Sequence, residues 1–222
     1  MTSDSYTSIA VPESVEPPKV KGSRFIGEAF PVESVEEAEA HVARIKKREY
    51  TATHVCSAYR IGAGVSGKGG NVWRANDDGE PNGSAGQPIL RQIEGRGLTN
   101  VLVTVTRYYG GTKLGVGGLV RAYGDAASAV LDACTPVEHI QRVPVTVHFA
   151  YPDTSPAMHT VGRFDAQIAD TAYTADGTAL HLRVRRSEVE LLVASFTEAL
   201  SGRVDVQVGR EKGEVGSGPG PG

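Results

Sequence analysis

Two cysteines in 222 residues, Cys56 and Cys134, are too few and too far apart for a disulfide framework or a zinc site. No apolar run approaches the roughly 20 residues needed to span a bilayer, so no membrane partner is expected. Residues 1–20 (MTSDSYTSIAVPESVEPPKV) have neither the basic start nor the apolar core of a signal peptide, which points to a cytoplasmic chain. Excess positive charge is also missing. A formal net charge of -3 and a pI near 6.1 exclude coating of nucleic acid by bulk charge and leave only a local basic patch. No GxxxxGK[ST] occurs. Gly62-Ala63-Gly64-Val65-Ser66-Gly67 formally satisfies GxGxxG after a strand. The next residues, Lys68-Gly69-Gly70-Asn71, form a loop where a dinucleotide fingerprint requires a helix, so the match is set aside.

The hydrophobic fraction of 40% is ordinary for a globular protein, and its periodicity divides the chain. Residues 1–20 read as an N-terminal extension. The spacing then predicts a strand over 24–30, a helix over 35–48 opened by a Ser34/Glu37 capping box, and a strand over 54–61. A long glycine-rich loop over 62–86 precedes a helix over 87–98 with Pro88 in its first turn. A strand over 100–106, a glycine loop and a helix over 119–134 complete a first domain, 21–137. The second domain, 138–212, reads as a strand over 143–149, a helix over 155–164 capped by Ser155, a hairpin of strands over 166–174 and 179–185, a helix over 188–200 with Ser187 and Glu190 as caps, and a final strand over 204–208. That β-α-β-β-α-β order is ferredoxin-like, and the class is α+β. Residues 213–222 (GEVGSGPGPG) read as a flexible tail.

Chemistry concentrates in two segments. Arg107 to Asp125 (RYYGGTKLGVGGLVRAYGD) holds Gly110, Gly111, Gly115, Gly117, Gly118 and Gly124, interleaved with Tyr108, Tyr109, Lys113 and Arg121. A strand, a glycine loop and a helix start in that order gather amide donors and cations suited to an anion. Gly117 and Gly118 are expected just before the helix, with Arg121 in its first turn. The second segment, Asp77-Asp78-Gly79-Glu80-Pro81, crowds three carboxylates that need a cation, a basic partner or solvent. One reading pairs this acidic loop with Arg107, Lys113 or Arg121 across a cleft. The other has the glycines serve tight turns while Tyr108 or Tyr109 packs in the core. His54 and Cys56 share a strand face, yet i,i+2 neighbours do not readily form a nucleophilic pair, so a buried thiol beside a histidine is expected. No catalytic residue set and no metal-ligand set emerges.

Together these segments resemble the IMPACT/YigZ family. The matching residues are 23–26 (Ser-Arg-Phe-Ile), 54–56 (His-Val-Cys), 77–90 (DDGEPNGSAGQPIL) and 107–123, all within the first domain. Gly22 stands where the family commonly has lysine, and Ser84 where threonine is usual. The resemblance implies a two-layer β-α first domain, of a type shared with a small-subunit ribosomal protein and elongation factor G, and a ferredoxin-like second domain similar to a late domain of elongation factor G. Eukaryotic members modulate the kinase pathway that restrains translation during amino-acid starvation, through a ribosome-associated activator and partly through a domain absent here. The expectation is therefore a non-enzymatic, translation-associated regulator without cofactor, with RNA, the ribosome or a ribosome-associated protein as partner. Arg107, Lys113 and Arg121 would contact phosphate, and Tyr108 or Tyr109 would stack. Two alternatives stand beside it: an enzyme on a phosphorylated small molecule, with Asp77, Asp78 and Glu80 holding Mg²⁺ or acting as base, and a protein-protein module docking through the acidic loop.

Overall fold

A computed structural model of the chain describes residues 4–62 and 72–209. The expectations for 63–67 and for the tail at 213–222 lie outside the described residues. The fold is mixed α+β, with three sheets and five α-helices among the described residues. No helix among them is long and apolar enough to cross a membrane. Two compact units separate: described residues 6–62 and 72–139 form the first, and 4–5 with 140–209 the second.

The first unit is built on a five-stranded antiparallel sheet of β2 (Glu13–Val15), β3 (Arg24–Pro31), β4 (His54–Ile61), β5 (Val72–Asn76) and β6 (Val101–Tyr108), in the order β2-β3-β6-β4-β5. The apolar run of β6 places it at the centre, because only a strand covered on both faces can bury consecutive residues. Alternation assigns those faces. Val101, Val103 and Val105 of β6, with Phe25, Ala29, Cys56 and Ala58, face α2 (Gly86–Gly95) and α3 (Val116–Ala133). Leu102, with Phe30, Val55, Tyr59 and Ile61, faces α1 (Val35–Arg48). Helices thus cover both faces. This corrects the expected two-layer arrangement: β3, β4 and β6 carry apolar residues on both sides, and one helical layer leaves one side wet. β1 (Ser5–Ile9) and β7 (Pro136–Ile140) form a separate two-stranded ribbon.

Helix α1 starts where the capping box places it. Ser34 Oγ accepts the Glu37 N–H at 3.1 Å, while the Glu37 carboxylate takes the N–H of Glu33 at 2.8 Å. Such a cap is worth about 1 kcal/mol. Helix α3 lies so close to β3 that a Cβ on Gly27 would sit 2.7 Å from the Ala126 carbonyl oxygen. Only glycine lets the two backbones approach this far.

In the second unit β8 (Arg142–Phe149), α4 (Thr154–Val161), β9 (Ala166–Tyr173), β10 (Thr178–Arg185), α5 (Val189–Ala199) and β11 (Val204–Val208) come in that chain order, and the antiparallel sheet runs β11-β8-β10-β9. Val145, Val147, Phe149, Leu180, Leu182 and Val184 point to one face against Leu192, Phe196 and Leu200. Two expected caps are replaced. Asp153, not Ser155, precedes α4, and Ser187 is drawn away from α5, its N–H donating to the Asp4 carboxylate at 2.7 Å. A 3-10 turn at Tyr151–Asp153 or Arg186–Glu188 precedes each helix and displaces the hydroxyl from the cap position.

Candidate functional site

The two signature segments meet at the end of the first unit where β6 stops, β4 begins, α1 ends and α3 begins. Arg107 is the last inward-facing residue of β6. Its Nη1 donates to Glu80 Oε1 at 2.5 Å, and the Tyr123 hydroxyl of α3 donates to the same oxygen at 2.8 Å. Arg107 is 6% exposed and Glu80 8%, so this is a buried ion pair. The guanidinium lies 5.8 Å from the Phe25 ring and 5.5 Å from the Tyr109 ring, and its Nε is buried without a hydrogen-bond partner. Burial pushes the Tyr123 hydroxyl pKa far up, with the Cys56 thiol and Glu80 adding to the effect, so Tyr123 remains a donor.

The other two carboxylates of the acidic loop are also engaged. Asp77 Oδ1 accepts the N–H groups of Ala85 and Gly86 at 3.0 and 2.8 Å, and Oδ2 that of Gly83 at 2.8 Å. Since α2 begins at Gly86 and Ala85 supplies no side-chain cap, Asp77 caps it from eight residues away, with its negative charge at the positive end of the helix. Asp78 Oδ2 accepts the Val55 N–H at 2.7 Å, and Oδ1 pairs with Lys46 at 2.5 Å. His54 Nδ1–H donates to the Asp78 carbonyl at 2.7 Å, and its Nε2 lies 3.9 Å from Glu80 Oε1. The Cys56 thiol donates to the Asp77 carbonyl at 3.0 Å; burial raises its pKa to about 12. Such a thiol supplies almost no thiolate at neutral pH and is a poor nucleophile.

The acidic loop therefore does meet a cation of the glycine stretch, but inside the protein. Arg107 is spent on Glu80, whereas Lys113 and Arg121 remain exposed and pair with none of the three carboxylates among the described residues. Helix α3 begins at Val116, earlier than expected, so Gly117 and Gly118 lie in its first turn and Arg121 in its second. Arg121 Nε donates to the Gly117 carbonyl at 3.3 Å. Gly115 (φ 72°) is the N-cap without a side-chain bond, and Gly111 (φ 85°) also needs the left-handed region. Gly110 has a different reason to be glycine: a Cβ there would overlap the backbone of Gly22. Its N–H donates to Ser23 Oγ at 3.1 Å.

The tyrosines separate as well. Tyr108 donates to Glu49 Oε2 at 2.5 Å with Arg24 5.3 Å from its ring, so it is tied down. Tyr109 is 47% exposed. Its N–H donates to Thr53 Oγ1 at 3.0 Å, and Thr53 N–H donates to the Arg107 carbonyl at 2.8 Å, binding the turn after α1 to the end of β6. That turn carries Tyr50, 83% exposed. The turn touching Gly110 likewise carries an exposed cation, Lys21, at φ 47°. Neither Tyr50 nor Lys21 lies in a patterned segment, and only the backbone contacts bring them to this end. The exposed surface here thus comprises Lys21, Tyr50, Tyr109, Lys113, Arg121 and the amides opening α3. Among the described residues no three His, Cys, Asp or Glu side chains gather as a metal-binding group.

Comparison with known proteins matches this region. The Impact N-terminal domain model matches residues 21–131, which hold both signature segments. The chain is 33% identical over 197 residues to the IMPACT family member YvyE of Bacillus subtilis, covering 86% of this chain and 85% of that protein. It is 40% identical over 165 residues to an IMPACT family member of Thermus thermophilus, covering 74% and 86%. For the IMPACT family member YigZ of Escherichia coli the identity is 34% over 157 residues, covering 71% and 76%. A crystal structure of a hypothetical protein superposes with a TM-score of 0.65 at 29% identity, covering 95% of this chain and 100% of that one.

Proposed function

Because the chain belongs to the IMPACT family, we propose that it is a non-enzymatic, translation-associated regulator of the cytoplasm that binds RNA, on the ribosome or beside it, through the exposed end of its first unit. One observation carries the reading: Lys113 and Arg121 stay exposed while every carboxylate of the adjacent acidic loop is bonded internally. A cationic rim beside acidic residues would be neutralised if those carboxylates were free. Here Glu80 is consumed by Arg107 and Tyr123, Asp77 by backbone amides, and Asp78 by Lys46 and Val55. Lys21, Lys113 and Arg121 are left as exposed cations that the acidic loop does not neutralise, and Tyr109 and Tyr50 are exposed at the same end.

Phosphates would be contacted by Lys21, Lys113, Arg121 and the α3 amides, and bases would stack on Tyr109 and Tyr50. Arg107 and Tyr108, expected as ligand contacts from the sequence, serve instead to hold this surface in place. The same bonding weighs against Mg²⁺ at Asp77, Asp78 and Glu80, whose oxygens already accept from amides, a lysine, an arginine and a tyrosine, and against docking of a basic protein on that loop. The two-domain division at residue 137 and the ferredoxin-like reading of the second unit belong to this proposal, supported by the β-α-β-β-α-β order and the β11-β8-β10-β9 sheet.

Co-sedimentation with ribosomes tests the proposal. The native protein should pellet at low salt and be released as salt rises. Lys113→Ala with Arg121→Ala should weaken pelleting, and Tyr109→Ala should cost about tenfold in affinity, as loss of one stacked base does. Unchanged pelleting of these variants sinks the reading.

A further inference from the structure

A cavity in the first unit has no part in that surface. It measures about 260 Å³ and lies between the β1–β7 ribbon and the ends of β3 and β6. Its apolar walls are Ile9, Pro31, Val32 and Val137. One side is aromatic: the rings of Tyr6 on β1 and His139 on β7 stack on each other at 4.9 Å with an interplanar angle of 11°. The polar groups are few. The Ser8 hydroxyl and the Val32 N–H are both spent on the Asn100 carbonyl, at 3.0 and 2.9 Å. Glu33 is exposed in the lining, and its carboxylate pairs with no cation among the described residues.

The geometry points to a binding site for a small flat aromatic amine. The volume falls just below the roughly 300–1,000 Å³ of drug-sized pockets, so the occupant is limited to about one or two fused rings. A flat ring would extend the parallel Tyr6–His139 stack on its outer face, and the electron-rich tyrosine ring favours a cation. An ammonium group meets the Glu33 carboxylate, whereas an anionic substituent there is repelled.

Nuclear magnetic resonance titration of the full chain tests this, with tryptamine as probe and indole-3-acetate as its anionic counterpart. Tryptamine should shift the resonances of Ile9, Val32, Val137 and His139 saturably, and indole-3-acetate should bind more weakly. Glu33→Gln, an exposed change, should weaken tryptamine by about threefold, as expected for one solvent-facing ion pair. Tyr6→Leu keeps apolar volume and should weaken it by about tenfold through lost stacking. Equal or tighter binding of indole-3-acetate overturns the proposal, as does the absence of saturable shifts at these residues. Full tryptamine affinity in both variants overturns it too; should Tyr6→Leu unfold, Glu33→Gln decides alone.

Discussion

Arg107→Met is the perturbation whose cost the structure fixes most tightly. The guanidinium is 6% exposed and its carboxylate partner 8%, with 2.5 Å between Nη1 and Oε1. Removing the arginine leaves the Glu80 charge buried with one neutral donor, Tyr123, at 2.8 Å. Breaking a buried pair from one side costs about 3–5 kcal/mol, because the remaining charge is uncompensated. For a chain of this size that corresponds to a fall in melting temperature on the order of 10 °C. Removing both charges behaves differently. In Arg107→Met with Glu80→Leu neither partner is stranded, so the double variant should recover most of the loss and show strong coupling in a double-mutant cycle. Urea denaturation of the four proteins measures this. Strict additivity, or a cost below about 1 kcal/mol for Arg107→Met, would refute the assignment of Arg107 as an internal strut.

Three further outcomes concern the first unit. Gly110→Ala places a methyl group into the Gly22 backbone and should destabilise by about 1–3 kcal/mol, the usual cost of overpacking; unchanged urea stability would contradict the close approach. Cys56 and Cys134, with thiol pKa values raised by burial to about 12 and about 11, should resist a thiol reagent at mildly alkaline pH until the protein is unfolded; fast labelling of the native state would contradict this. The Tyr108 hydroxyl, then Arg48, hold the Glu49 pKa below its ordinary value. A depressed carboxylate contributes stability above its unfolded pKa, near 4.3, and loses it as pH falls through the lower folded value. Glu49→Gln should therefore flatten the acid limb of the stability profile in that window, and an identical limb would count against the contact.

The first unit was readable in the sequence wherever local signals and burial agreed. Ser34 and Glu37 marked the start of α1, and the apolar run 101–105 marked β6. Elements whose existence depends on a distant partner were not. β5 (Val72–Asn76) is half-exposed and comes after glycines, so its alternation is blurred, and only pairing with β4 makes it a strand. β2 pairs Glu13–Val15 with β3 amid prolines. At the site, the pairing of acidic loop and glycine stretch could be anticipated from charge. Which cation would be buried could not, because Arg107 differs from Lys113 only in falling on the inward register of a central strand. Asp77 as the cap of α2 was hidden by its separation from Gly86, and Tyr50 and Lys21 by lying in turns without periodicity.

The central claim is that exposed cations at the glycine loop bind RNA phosphates while Arg107 does not. The salt dependence of binding to a single-stranded oligoribonucleotide tests it most directly. The slope of log affinity against log salt should become shallower by about 0.7 for each of Lys113→Ala and Arg121→Ala, the value of one phosphate contact on a single strand. A slope near zero for the native protein, or one unchanged by both substitutions, would contradict the account.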